Sequence, residues 1–170
     1  MNTQPFIRQM DNNARRIQLL VEGITDEQAR WKPTPETWSV LEVVNHLYDE
    51  EREDFRLRLD YILHHPGEKW PPNDPQGNIL NRRYNERDLQ ESLNNFLQER
   101  QASLEWIQKL GVFDWDKAEA TPWGGTIRAG DMFAAWVAHD ILHLRQLVEL
   151  HWAITNQALQ PYSTQYAGDW

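Results

Sequence analysis

Two histidines stand four residues apart in His139-Asp140-Ile141-Leu142-His143, within a segment whose apolar residues recur at helical spacing. At about 100° per residue a four-residue step returns nearly to the same helical face, with Cβ atoms about 5–6 Å apart. Two imidazoles so placed can reach one cation. The stripe they share reads Met132, Trp136, His139, His143, Leu147 and Leu150, so both occupy the inner seam of a helix. An imidazole on a seam costs stability unless its ring nitrogens find partners. Metal coordination supplies such partners; for each histidine taken singly, a hydrogen-bonded core or rim residue is the plainer reading.

A third imidazole comes from another helix. Val43, His46, Glu50, Glu53 and Leu57 fall on one line at spacings of three and four, with polar groups interrupting an otherwise apolar face. If the two helices face each other at similar depth, His46, His139 and His143 can give three nitrogens to one divalent ion and leave a face open. Glu50, one turn beyond His46, has three available roles: fourth ligand, general base, or acceptor holding an imidazole tautomer. The competing reading for Glu50, as for Asp49 and Glu53, is a solvated face of an acidic run. Glu53, Trp70 and Trp123 are expected to line the pocket, the two tryptophans because they lie in long connections.

Asp140 invites comparison with the zincin pattern His-Glu-x-x-His, whose glutamate is the base. The match is poor: aspartate is one methylene shorter, and His151 stands too far beyond His143 to be the third ligand of the extended motif. Asp140 reads instead as a surface carboxylate or one that braces a ligand. His151, His64 and His65 read as structural or exposed, the last two closing a helix where a cationic ring favours the dipole.

These residues need helices to carry them, and the chain supplies four amphipathic stripes. The first advances through Ile7, Met10, Ala14, Ile17, Val21 and Ile24. Thr25-Asp26-Glu27-Gln28 and Ser39-Val40-Leu41-Glu42 are capping boxes. The second box opens a helix carrying Val40, Val43, Val44, Leu47, Leu57 and Tyr61 until His64-His65-Pro66-Gly67 stops it. Residues 66–85 form a long Pro-, Gly- and Asn-rich connection that could lie over a site. The third stripe is Leu89, Leu93, Phe96, Leu104, Ile107 and Leu110, closed by Gly111 at C′. A second loop passes through Pro122-Trp123-Gly124-Gly125, and Thr126 is the expected N-cap of the fourth helix. No run alternates with period two. The expectation is an all-α four-helix bundle with two long connections, residues 1–170 forming a single domain. The tail 153–170, with Tyr162, Tyr166 and Trp170, is expected to pack on the bundle or on a partner subunit.

Composition narrows the function. Seventeen basic against 26 acidic residues give a net charge of −9, which disfavours nucleic acid and anionic membrane as partners. With no cysteine there is neither a disulfide nor a thiolate ligand, so a metal must be held by nitrogen and oxygen. No apolar run approaches the about 18 residues of a spanning helix, and no signal-peptide pattern opens the chain. A cytoplasmic protein is the expectation. Nucleotide loops, the Gly-x-Ser-x-Gly elbow and the paired Glu-x-x-His of di-iron bundles are all missing.

Three segments carry a resemblance: Thr25 to Pro33, Thr37 to Leu47 (Thr-Trp-Ser-Val-Leu-Glu-Val-Val-Asn-His-Leu), and His139 to Leu147. The Trp-Ser…Asn-His and His-x-x-x-His-x-x-Gln combination resembles the DinB-like superfamily. That resemblance implies an up-down-down-up bundle in which three histidines, matched here by His46, His139 and His143, bind a divalent metal such as zinc or nickel. It also implies chemistry on a small-molecule substrate, since related proteins include S-transferases that use the low-molecular-weight thiols bacillithiol and mycothiol. Homodimers are common among them. The expected activity is therefore a metal-dependent hydrolase or a thiol-dependent transferase. The alternative is a non-catalytic bundle, stabilised by metal, with a binding or stress-response role.

Overall fold

Four long helices dominate the computed structural model, which describes residues 1–168. Helix α1 (Gln4–Val21) begins with proline in its first turn, where a missing N–H costs nothing. Both capping boxes form: Thr25 and Gln28 open the short α2 (Asp26–Arg30), and Ser39 and Glu42 open α3 (Val40–Asp49). Helix α3 runs without a break through a π-helical turn (Glu50–Phe55) into α4 (Arg56–His64). Helix α6 (Leu89–Lys109) ends at Leu110, and Gly111 follows with φ +70° as the expected C′ glycine.

The two halves of the core define the topology. At one end Ile7 and Met10 of α1 pack with Leu59, Ile62, Leu104 and Met132. At the other, Ile17 and Val21 pack with Val40, Val44, Leu93 and Leu150. The start of α1 therefore lies beside the ends of α4 and α6 and the start of α7 (Ala129–Ala158), so the order is up, down, down, up. Because α3–α4 and α6 run in the same direction, the chain must return the length of the bundle between them.

That return explains the long connection after His65, and it is more than a loop. It contains α5 (Pro75–Asn81) and a 3₁₀ turn (Tyr84–Glu86). Arg82 and the Tyr84 hydroxyl both donate to Asp49. Asn85 accepts from Ser39 Oγ at 2.6 Å, so the crossover is tied to the start of α3. The second connection also differs from expectation. A hairpin pairs β1 (Ala118–Ala120) with β2 (Thr126–Arg128), turning at Gly124 and Gly125, whose φ values of +97° and +80° suit glycine. Thr126 consequently lies in β2, and Arg128 takes the N-cap position of α7. The strands are too short for their alternation to register in the sequence.

A further correction concerns phase. The π turn takes up one more residue per turn than an α-helix, which rotates everything after it. Leu59, Ile62 and Leu63 are buried, whereas Leu57 and Tyr61, the expected seam residues, are only partly so. Of the tail, residues 153–158 are the end of α7; Tyr162 and Tyr166 are exposed, and Trp170 lies outside the described residues.

Candidate metal centre

His46 of α3 and His139 and His143 of α7 come together near the middle of the bundle. His46 and His143 are buried and His139 is half-buried. The Nε2 atoms of His139 and His143 are 3.0 Å apart, and those of His139 and His46 are 3.4 Å apart. One ligand atom from each of the three lies within 4.8 Å of the others. Among the described residues, no carboxylate joins this group.

The donor set has the chemistry of a cation site. His143 Nδ1 is 2.8 Å from Gln146 Oε1, so its ring proton is donated there and its Nε2 presents a lone pair. Three facing Nε2 atoms cannot all satisfy one another, since each neutral ring carries a single N–H. A cation shared among them removes the conflict. Burial holds His46 down to about 3, with His143 adding to the effect, and holds His139 down to about 2, with His143, His46 and Arg100 adding to it. His143 is lowered by burial as well, although Gln146 and Asp140 oppose the shift. All three rings are neutral at pH 7, the form a metal requires.

Around the rings, Trp38 stacks parallel to His143 with centroids 6.1 Å apart and meets His46 edge-on at 4.9 Å. Phe55, on the π turn, closes the side of His139 at 4.9 Å. A cleft of about 520 Å³ opens outward from the triad, bounded by Trp38, Glu50, Gln76, Leu142 and Gln146. Gln76 belongs to α5, so the crossover does reach the site.

Glu50 sits on the wall of this cleft with Oε1 3.8 Å from His46 Nδ1, too far for a direct hydrogen bond. Burial pushes its carboxyl up to about 8; Asp54, Asp49 and Glu51 add to the shift and Arg58 opposes it. Glu50 is thus a carboxyl that still holds a proton near neutral pH, beside three neutral imidazoles.

Residues 9–147 match the family model of the DinB superfamily. The chain belongs to the DinB superfamily. No protein of curated function matches it. Among solved structures it is similar to YfiT from Bacillus subtilis, with a TM-score of 0.79, 18% identity, and coverage of 90% of this chain and 87% of that one. YfiT is described as "a probable metal-dependent hydrolase with an unusual four-helix bundle topology". At this identity the likeness establishes the shared fold.

Not every residue expected at this DinB site is near it. Glu53 faces outward and pairs with Arg52 and Arg82, because the π turn brings Asp54 instead to the buried side beside Glu50. Trp70 and Trp123 pack edge-on at 5.8 Å, with Arg58 over both rings, and neither lines the cleft. Trp38 has that place. It precedes the cap of α3 and lies within the segments of family resemblance, a usable signal that loop length obscured. Asp140 is no surface residue: it is 1% exposed and bound to Arg100. His64 and His65 pair with Asp60 and Glu68 near the surface, and His151 Nε2 meets the Leu20 carbonyl at 2.5 Å.

Proposed function

We propose that this DinB protein is a divalent-metal-dependent hydrolase acting on a small molecule, with His46, His139 and His143 as the metal-holding residues. The observation that carries this reading is the convergence of three Nε2 atoms with His143 Nδ1 already committed to Gln146. An all-imidazole donor set suits zinc or nickel. Three protein donors beside an open cleft leave room for an exchangeable ligand, as in catalytic rather than structural sites. A divalent ion bound there would act as a Lewis acid and bring the pKa of water toward neutrality.

The residues around it do the rest. Gln146 holds the His143 tautomer, Trp38 and Phe55 shield the rings from bulk water, and Glu50 is the carboxyl that can take a proton from a reacting atom in the cleft and return it. Glu50 is the residue to which we assign acid–base catalysis. The volume of the cleft accommodates a metabolite-sized molecule, in keeping with the metal-dependent hydrolysis ascribed to YfiT. A thiol-dependent transfer would need an external low-molecular-weight thiol, since the chain has no cysteine.

Metal analysis of protein purified without an affinity tag tests the reading. One zinc or nickel per chain is expected, lost in His139→Ala and His143→Ala and retained in His151→Ala. A panel of amide and ester substrates, assayed with and without added thiol, should show turnover that chelation abolishes. An unsubstituted protein that takes up no divalent ion, or a His143→Ala variant that binds it equally well, overturns the proposal.

A further inference from the structure

Helix α6 contributes no residue to the histidine cluster, yet its Arg100 is one of the most deeply buried side chains in the protein at 1% exposure. Its guanidinium forms a bidentate pair with Asp140, Nη1 to Oδ2 at 2.8 Å and Nη2 to Oδ1 at 2.6 Å. The same Nη2 reaches Glu51 Oε1 at 2.7 Å, and Nη1 also donates to the Met10 carbonyl at 3.0 Å. Trp136 Nε1 donates to Glu51 Oε1 at 2.8 Å, and Asn13 Nδ2 donates to Asp140 at 3.2 Å. Every long helix of the bundle is thereby joined through one guanidinium.

The two acids are the immediate chain neighbours of site residues. Glu51 follows Glu50 on the π turn; Asp140 follows His139 on α7. Fixing those two carboxylates on one rigid fork fixes the relative height and rotation of the segments that carry Glu50 and His139. Shape is only part of it. Two carboxylates face one guanidinium, and Glu51 Oε2 is buried with no hydrogen-bond partner. Arg100 by itself opposes a positive charge at His139, Glu51 and Asp140 offset that guanidinium, and Asp140 favours positive charge at His143, so the two carboxylates are what make the cluster compatible with a cation.

We propose that Arg100, Glu51 and Asp140 are positioning residues of the metal centre: the buried cluster sets the geometry of the donor residues and raises their affinity for a divalent cation. The inference rests on the metal reading above. Cobalt(II) titration, followed by its visible d–d absorption, separates the two. Glu51→Gln keeps the shape and one acceptor while removing the charge; Arg100→Lys keeps the charge but loses the fork. Both should weaken cobalt binding about tenfold or more, the usual cost of disturbing a ligand's support, and shift the d–d band. Ile107→Ala, on the same helix but in the apolar core, should lower thermal stability with affinity and band unchanged. If Arg100→Lys fails to fold, Glu51→Gln and Trp136→Phe decide the matter alone. Unchanged affinity and band in those variants, or an equal shift in Ile107→Ala, overturns the inference while leaving the metal site standing. Failure of the unsubstituted protein to bind cobalt overturns the metal reading, and this inference with it.

Discussion

At the scale of single residues, the centre is organised by which nitrogen carries a proton. Gln146 takes the Nδ1 proton of His143 and turns its other nitrogen toward the cluster, so a residue beyond the three histidines defines the direction of a donor. Glu50 poses the complementary question, because its carboxyl is pushed up to about 8 by burial and by Asp54. A dication nearby should drive that proton off. Binding of zinc at pH 7 is therefore expected to release a proton from Glu50 but none from the neutral histidines. Calorimetry in buffers of different ionisation enthalpy measures the release directly. In Glu50→Gln it should vanish, and an undiminished release would show that another group carries the proton.

At the scale of elements, the π turn in the second long helix has the largest consequence. By absorbing an extra residue it brings Glu50 and Glu51, and then Asp54 and Phe55, to the buried side, where an unbroken α-helix would bury fewer neighbours in succession. Site carboxyl, cluster carboxyl and aromatic wall all come from that one turn. The start of the same helix depends on Ser39, whose hydroxyl accepts from the Glu42 amide at 3.1 Å and donates to Asn85 in the crossover at 2.6 Å. Ser39→Ala removes a cap worth about 1–2 kcal/mol and leaves Asn85 short of a donor. Urea denaturation should show a loss of at least that size. A change below about 0.5 kcal/mol would mean that the cap is redundant.

For the whole molecule, the burial of three neutral histidines and one protonated carboxyl predicts an unusual pH profile in the metal-free protein. Each histidine is lowered in the folded state, so below its ordinary value of 6.5 the unfolded chain takes up protons that the fold does not. Stability contributed by these groups is complete above that pH and falls as the pH drops toward 3. Glu50 acts with the opposite sign. Raised from 4.5 to about 8, it keeps a proton that the unfolded chain releases, so its contribution falls as the pH climbs through that window. Among these four groups the three histidines outweigh Glu50 in the acid range, and between 6.5 and 8 Glu50 is the one that titrates. Chelated protein should be most stable near neutrality, and Glu50→Gln should abolish the decline toward pH 8. Melting temperatures across pH 4–9 check both limbs. The described part of the chain holds no helix long and apolar enough to cross a membrane.

Much of this was legible in the sequence by itself. Caps, seams, the C′ glycine and the His139–His143 pair depend on contacts three or four residues apart, and such contacts follow from the chain's own geometry. His46 was legible because it interrupts an apolar face. Tertiary structure alone decided what required distant groups to meet. The π turn has no local signature, and it moved Glu53 out and Asp54 in. Trp38 rather than Trp70 or Trp123 walls the cleft because a cap residue's neighbour is placed by helix packing, not by loop length. Arg100, Glu51 and Asp140 each occupy a seam position where a lone charge reads as an error in the pattern. Only when three helices pack do they become one cluster, since a buried charge is tolerated when its partners arrive from elsewhere in the chain.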